Sequence, residues 1–191
     1  MYKITFVDEK RFLVDGPDVY RYYWHKIGTD RRVFEKKGFS RGLTVWAGIG
    51  FFGTTTLYFI METINSEKYQ EIIQQHYLPF HQPRFLLAQD NAPCHVSAAS
   101  RQFMAERNIV LLDWAAHSSD CNPIENLWGI VVDHIYRNCH HYQNLTDLKS
   151  ANQSAWEEIE FNTVQNLIAS FPKRRIEVVK AKGRNLSLIH I

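Results

Sequence analysis

The chain has 191 residues, 45% of them hydrophobic and 22% charged, a balance that suits one folded domain and argues against disorder. Its formal charge of +2 is too small to mark a nucleic-acid partner by itself, so any such case rests on local clusters. Three cysteines without a CxxC pair argue against a secreted disulfide framework and point to a reducing compartment; no apolar run approaches the ~20 residues of a membrane span, and the start MYKITFVDEK is no signal peptide.

The chain opens almost directly into a strand, as a piece of something longer would. Tyr2 to Leu13 alternates strand-forming residues, and Asp15-Gly16-Pro17-Asp18 makes a turn into a second short strand, Val19 to Trp24, antiparallel to the first. Asp30 to Arg41 lacks periodicity and carries Arg31, Arg32, Lys36, Lys37 and Arg41, which makes it a basic surface loop. Leu43 to Phe52 and Thr54 to Met61 flank Gly53 as a third strand and its continuation or hairpin partner. Asn65-Ser66 caps a helix over Glu67 to Leu78, where Tyr69, Ile72, Ile73 and Tyr77 fall at helical spacing and Pro79 closes the run.

Phe85 to Ala88 is a buried strand leading to Asp90; a helix over Ser97 to Asn108 and a strand over Ile109 to Trp114 follow. A strand, a crossover helix and a strand imply parallel pairing. Asn122 caps the next helix and Pro123 takes its first position, with Leu127, Ile130, Val131, His134 and Ile135 as the buried stripe of Ile124 to Arg137. Helices over Thr146 to Ile159 and Thr163 to Ala169 come last; Pro172 ends the second, and Lys173, Arg174, Arg175, Lys180, Lys182 and Arg184 form a basic tail. The class is α/β, with a mixed central sheet (three antiparallel strands, then two parallel) flanked by helices.

Three acids stand out. Asp8 and Asp90 each follow an apolar run, Glu125 lies in the first turn of a helix, and 34 residues separate Asp90 from Glu125. In open α/β sheets active groups collect beyond the carboxyl ends of parallel strands. Three carboxylates meeting there repel one another unless a cation neutralises them, and hard oxygen ligands suit Mg²⁺ or Mn²⁺. Two such ions, ~3.5–4 Å apart, activate a water or 3′-hydroxyl and stabilise the leaving oxygen in phosphoryl transfer. Each acid also has an ordinary use, Asp90 as a turn or helix cap and Glu125 as a first-turn acid on the helix dipole. Spacing alone leaves both readings open.

The longer motifs go further. FVDEKRF followed by DGPD, then QDNAPCH, then SSDCNPIENLW resemble the three signature blocks of mariner-superfamily (Tc-type) DDE transposases, over roughly Ile4 to Gly183, and the 34-residue interval matches the Tc-type branch. The resemblance implies a ribonuclease H-like catalytic core over residues 1–183, with 184–191 as a tail off the pattern and the amino-terminal helix-turn-helix DNA-binding region absent. It implies two Mg²⁺ (or Mn²⁺) ions held by Asp8, Asp90 and Glu125, with Asp8 bridging both. The implied reaction is cut-and-paste transposition by metal-dependent DNA hydrolysis and strand transfer. Implied partners are transposon-end and target DNA and a homodimer in the DNA complex, in the nucleus and with no membrane. The chain departs from the family pattern at Ala115, Ser119 and Cys121, in the loop ahead of the catalytic helix. An inactive remnant that serves as a DNA-binding or interaction module is the alternative, and the complete acidic triad argues for the enzyme.

For DNA contacts the resemblance points to Arg31, Arg32, Lys36 and Lys37, to Lys173, Arg174 and Arg175, and to Asn91 and His95 beside Asp90, which order the site or approach the substrate, a satisfied structural role for His95 being equally open. Each basic cluster alone is ordinarily a solvated face. Cys94-His95 and Cys139-His140-His141 fit no zinc finger or ribbon spacing. Tyr20, Tyr22, Tyr23 and Trp24 read as strand packing, and Trp46 and Trp128 as core.

Overall fold

The computed structural model describes residues 3–16, 41–114, 121–137 and 141–180, with Val179 by its backbone only. The expected strand Val19 to Trp24, the basic loop up to Ser40, the departures at Ala115 and Ser119, Cys139-His140 and the end of the basic tail lie outside the described residues.

The sheet is built from β1 (Ile4–Leu13), β2 (Gly42–Gly50), β3 (Gly53–Thr54), β4 (Tyr58–Ile60), β5 (Leu86–Ala88) and β6 (Val110–Leu111). Its order is β3-β2-β1-β5-β6, with β4 also paired to β2. β2 runs antiparallel to β1, β3 and β4, whereas β1, β5 and β6 are mutually parallel. The mixed architecture expected from the sequence is the one observed. Gly53 turns the β2–β3 hairpin at φ +123, a left-handed backbone that favours glycine.

Alternation along β1 sends Ile4, Phe6 and Phe12 to one face and Val7 to the other, so two cores form. The first packs against α4 (Ile124–Ile135), α5 (Leu145–Glu157) and α6 (Phe161–Lys180). The second packs against α1 (Ser66–Ile72) and α3 (Ala98–Glu106), with the single-turn α2 (Pro93–Val96) at its border. Asn65 caps α1 as expected, and a π-helical turn over Ile73–Tyr77 extends it, keeping Ile73 and Tyr77 buried. Asn108 closes α3 with a left-handed φ of 54.

Three sequence expectations change. α6 passes through Pro172 instead of stopping before it, because its buried stripe of Val164, Ile168, Phe171 and Arg174 continues across the proline. In α4 the buried stripe is Ile124, Leu127, Trp128, Val131 and Ile135, while Ile130 and His134 face outward. The helix begins at Ile124 with Pro123 in the cap position, although Asn122 Oδ1 still accepts the Ile124 N–H at 3.2 Å.

Candidate active site

Asp8 lies inside β1 and not at its end, since the strand runs on to Leu13. It still stands at a sheet edge because the neighbouring parallel strand stops at Ala88. The register pairs Phe6 with Ala88, and carried two residues further it sets Asp90 level with Asp8. α4 crosses the same end of the sheet, and Glu125 sits half-buried in its first turn.

The Asp8 carboxylate is on the α4 face. Its Oδ2 accepts a hydrogen bond from Trp128 Nε1 at 3.2 Å. Burial, then the charge of Glu125, then that of Glu9 push its pKa up to about 8. Asp8 and Glu125 are therefore brought together as two acids of which one resists ionisation.

Glu9 points to the opposite face, as strand alternation requires, and meets a different environment. His95, only 3% exposed, lies between two acids: its Nδ1 is 2.6 Å from Asp90 Oδ1, and its Nε2 is 3.4 Å from Glu9 Oε1. Burial opposes the imidazolium, but the bonds to Asp90 and Glu9 outweigh it and push the His95 pKa up to about 10. The same bond to His95 holds Asp90 below the usual carboxylate range. The Tyr69 ring lies against the imidazole, tilted by 34° with centroids 4.1 Å apart. Asp90 Oδ1 also accepts the Ala92 N–H at 2.9 Å, so its expected capping use is real.

Among the described residues no three His, Cys, Asp or Glu side chains converge closely enough to form a metal cluster, and the Asp90 carboxylate is engaged with His95. Two of the residues expected to touch DNA sit elsewhere. His95 is buried in the network just described. Arg174 is 1% exposed, with Nη1 donating to Asn126 Oδ1 at 2.7 Å and Nε to Ser170 Oγ at 2.7 Å. Lys173 and Arg175 are exposed, as a phosphate contact needs, and so is Asn91, whose amide donates to the Trp114 carbonyl at 3.0 Å. Arg31, Arg32, Lys36 and Lys37 lie outside the described residues.

The sequence reading missed two residues at this site. Trp128 read as core alone, yet it follows Glu125 by three positions, a helical spacing that puts both on one side of a turn. Glu9 follows Asp8 directly, but its partner His95 is distant in sequence and no spacing announces the pair.

Residues 3–149 match the family described as DDE superfamily endonuclease. The chain belongs to that family. This DDE domain is 36% identical over 190 residues to the Tc3 transposase of Caenorhabditis elegans, covering 97% of the chain and 58% of that protein, so it spans little more than half the length of that relative. It is 27% identical over 189 residues to the Tcb2 transposase of Caenorhabditis briggsae, covering 94% of the chain and 68% of that protein. Its fold is that of the catalytic domain of Mos1 mariner transposase, with a TM-score of 0.71 at 17% identity over 97% of this chain and 85% of that one. The Mos1 paired-end complex with Mn superposes with a TM-score of 0.79 at 19% identity, over 97% of this chain and 57% of that one. By family it is a DDE superfamily endonuclease domain, and its fold is the ribonuclease H-like fold of the Mos1 catalytic domain.

Proposed function

We propose that the chain is the metal-dependent catalytic domain of a cut-and-paste DNA transposase. It would hydrolyse a phosphodiester at a transposon end and pass the freed 3′-hydroxyl to target DNA. The observation that carries this reading is the Asp8–Glu125 pair. Two carboxylates share one end of the sheet, one pushed up to about 8 by burial and by the other's charge, and the strand register carried past Ala88 sets Asp90 level with Asp8. Such a pair is unfavourable as it stands, and a divalent cation removes the unfavourable term. All-oxygen donors fit Mg²⁺ or Mn²⁺, and among the structural relatives Mos1 has been solved with Mn and with Mg.

In this reading Asp8, Asp90 and Glu125 would hold the cations, which would supply Lewis-acid chemistry at the phosphodiester. The protein's own part is positioning. Trp128 fixes Asp8 from the indole N–H, while His95, held by Glu9, orients the Asp90 carboxylate at the end of β5. Lys173 and Arg175, with Arg31, Arg32, Lys36 and Lys37, supply phosphate contacts. DNA partners accord with the Mos1 relatives, which include a paired-end complex and a strand transfer complex. A nuclear location and a homodimer pairing two transposon ends complete the proposal. Among the described residues no helix is long and apolar enough to cross a membrane.

Calorimetric titration with Mn²⁺ tests the site without knowledge of the DNA sequence. Wild-type binding that disappears in both Asp8→Asn and Glu125→Gln is the expected result. Equal binding by all three proteins would refute a shared metal site.

A further inference from the structure

The family match ends at residue 149, so α6 lies past it, and α6 carries the buried arginine. An arginine that is 1% exposed is costly to bury, and both of its described hydrogen bonds go to neutral side chains. One is Ser170, a turn earlier on its own helix. The other is Asn126, in the first turn of α4 and next to Glu125.

Asn122 supports the same turn from its other side, its Oδ1 accepting the Ile124 N–H at 3.2 Å. Pro123 in the cap position offers no side-chain bond, and the turn closes through short backbone contacts of 3.2 Å, Glu125 N–H to the Asn122 carbonyl and Asn126 N–H to the Pro123 carbonyl. The same stretch of α6 also grips the strand of Asp8. Phe171 packs edge-on against Phe6 at 4.9 Å and stacks with Trp114 at 6.2 Å. Three residues apart on α6, Phe171 and Arg174 thus touch β1 just before Asp8 and α4 just after Glu125.

We infer that Arg174 is a positioning residue: its bond to Asn126 fixes the first turn of α4, so that α6 sets the separation of Glu125 from Asp8. The inference rests on the proposed role of Glu125 as a metal ligand. It concerns a guanidinium that reads in the sequence as part of a basic DNA-facing tail and in the fold is internal.

The test uses the full chain with Arg174→Met, Arg174→Lys, Asn126→Ala and the Met/Ala double variant. Amide hydrogen exchange at Glu125 and Asn126 reads the turn, and Mn²⁺ calorimetry reads the site. Arg174→Met and Asn126→Ala are each expected to speed exchange at those two amides about tenfold, with α5 amides unchanged, and to weaken Mn²⁺ binding about tenfold. The double variant is expected to be no worse than the worse single one, because both remove the same bond. Arg174→Lys, which keeps one donor, is expected to stay within about threefold of wild type. Unchanged exchange and affinity in the single variants, or losses that multiply in the double, would overturn the inference. Should Arg174→Met fail to fold, Asn126→Ala at its half-buried helical position decides the matter alone. A wild type that binds no Mn²⁺, or a Glu125→Gln variant that binds it equally, would sink the metal-ligand reading, while the exchange rates would still decide whether Arg174 holds the turn.

Discussion

Asp8 and Glu9 are neighbours on one strand and meet opposite fates. On the α4 face Asp8 is half-buried beside Glu125, accepts only N–H donors, from the Trp128 indole and the Glu9 backbone, and is pushed up to about 8. On the other face Glu9 meets His95, whose positive charge is shared with Asp90. One side of the sheet has acids in excess and the other supplies its own cation. The difference teaches where an external divalent ion has most to gain: at Asp8 and Glu125, with Asp90 at the border between the two environments.

The largest expected effect removes that border residue. Asp90→Asn should cut metal-dependent DNA cleavage on the order of 10³-fold while leaving the circular dichroism spectrum intact, since the strand end accepts an amide. Cleavage at the wild-type rate would break the comparison at its centre.

Next comes pH. The folded protein holds a proton on Asp8 that the unfolded chain releases near the ordinary carboxylate value of 3.8, so in metal-free protein the contribution of this group is fully present below that value and is lost as pH rises towards about 8. Asp8→Asn should therefore stabilise the metal-free domain at pH 8 by on the order of 1–3 kcal/mol and flatten its stability between pH 4 and 8. Chemical denaturation at several pH values measures this. A variant less stable than wild type at pH 8 would contradict the account.

On the opposite face, His95→Ala leaves Glu9 and Asp90 without their shared partner and a gap over Tyr69. A loss of about 1–3 kcal/mol in the same denaturation experiment is expected, larger than for the milder His95→Gln. Trp128→Phe removes the bond to Asp8 together with part of a buried ring system packed on Phe12 and Trp156. It should weaken Mn²⁺ binding by roughly 1 kcal/mol in calorimetry and, through the cavity it leaves, lower stability by about 1–2 kcal/mol in denaturation. The smallest effect belongs to Lys173→Ala and Arg175→Ala, each lowering DNA affinity without sequence preference and reducing the salt slope by about 1.

Much of this protein was legible in the linear sequence because its signals are local. Alternation in ITFV and LTVW, the Asn65 cap, the strand running to Asp90 and the helix carrying Glu125 all depend on near neighbours, and with the motif resemblance they sufficed for the mixed sheet and the family. Local signals also misled. Pro172 ordinarily stops a helix, and Lys173-Arg174-Arg175 ordinarily faces solvent, yet the packing of Phe171 and Arg174 carries α6 through and turns one of three adjacent cations inward. Which face each acid takes, and what it meets there, was decided only by the fold. Strand parity separates Asp8 from Glu9, but the partners that set their chemistry, Trp128, Glu125 and His95, come from distant segments brought together by packing.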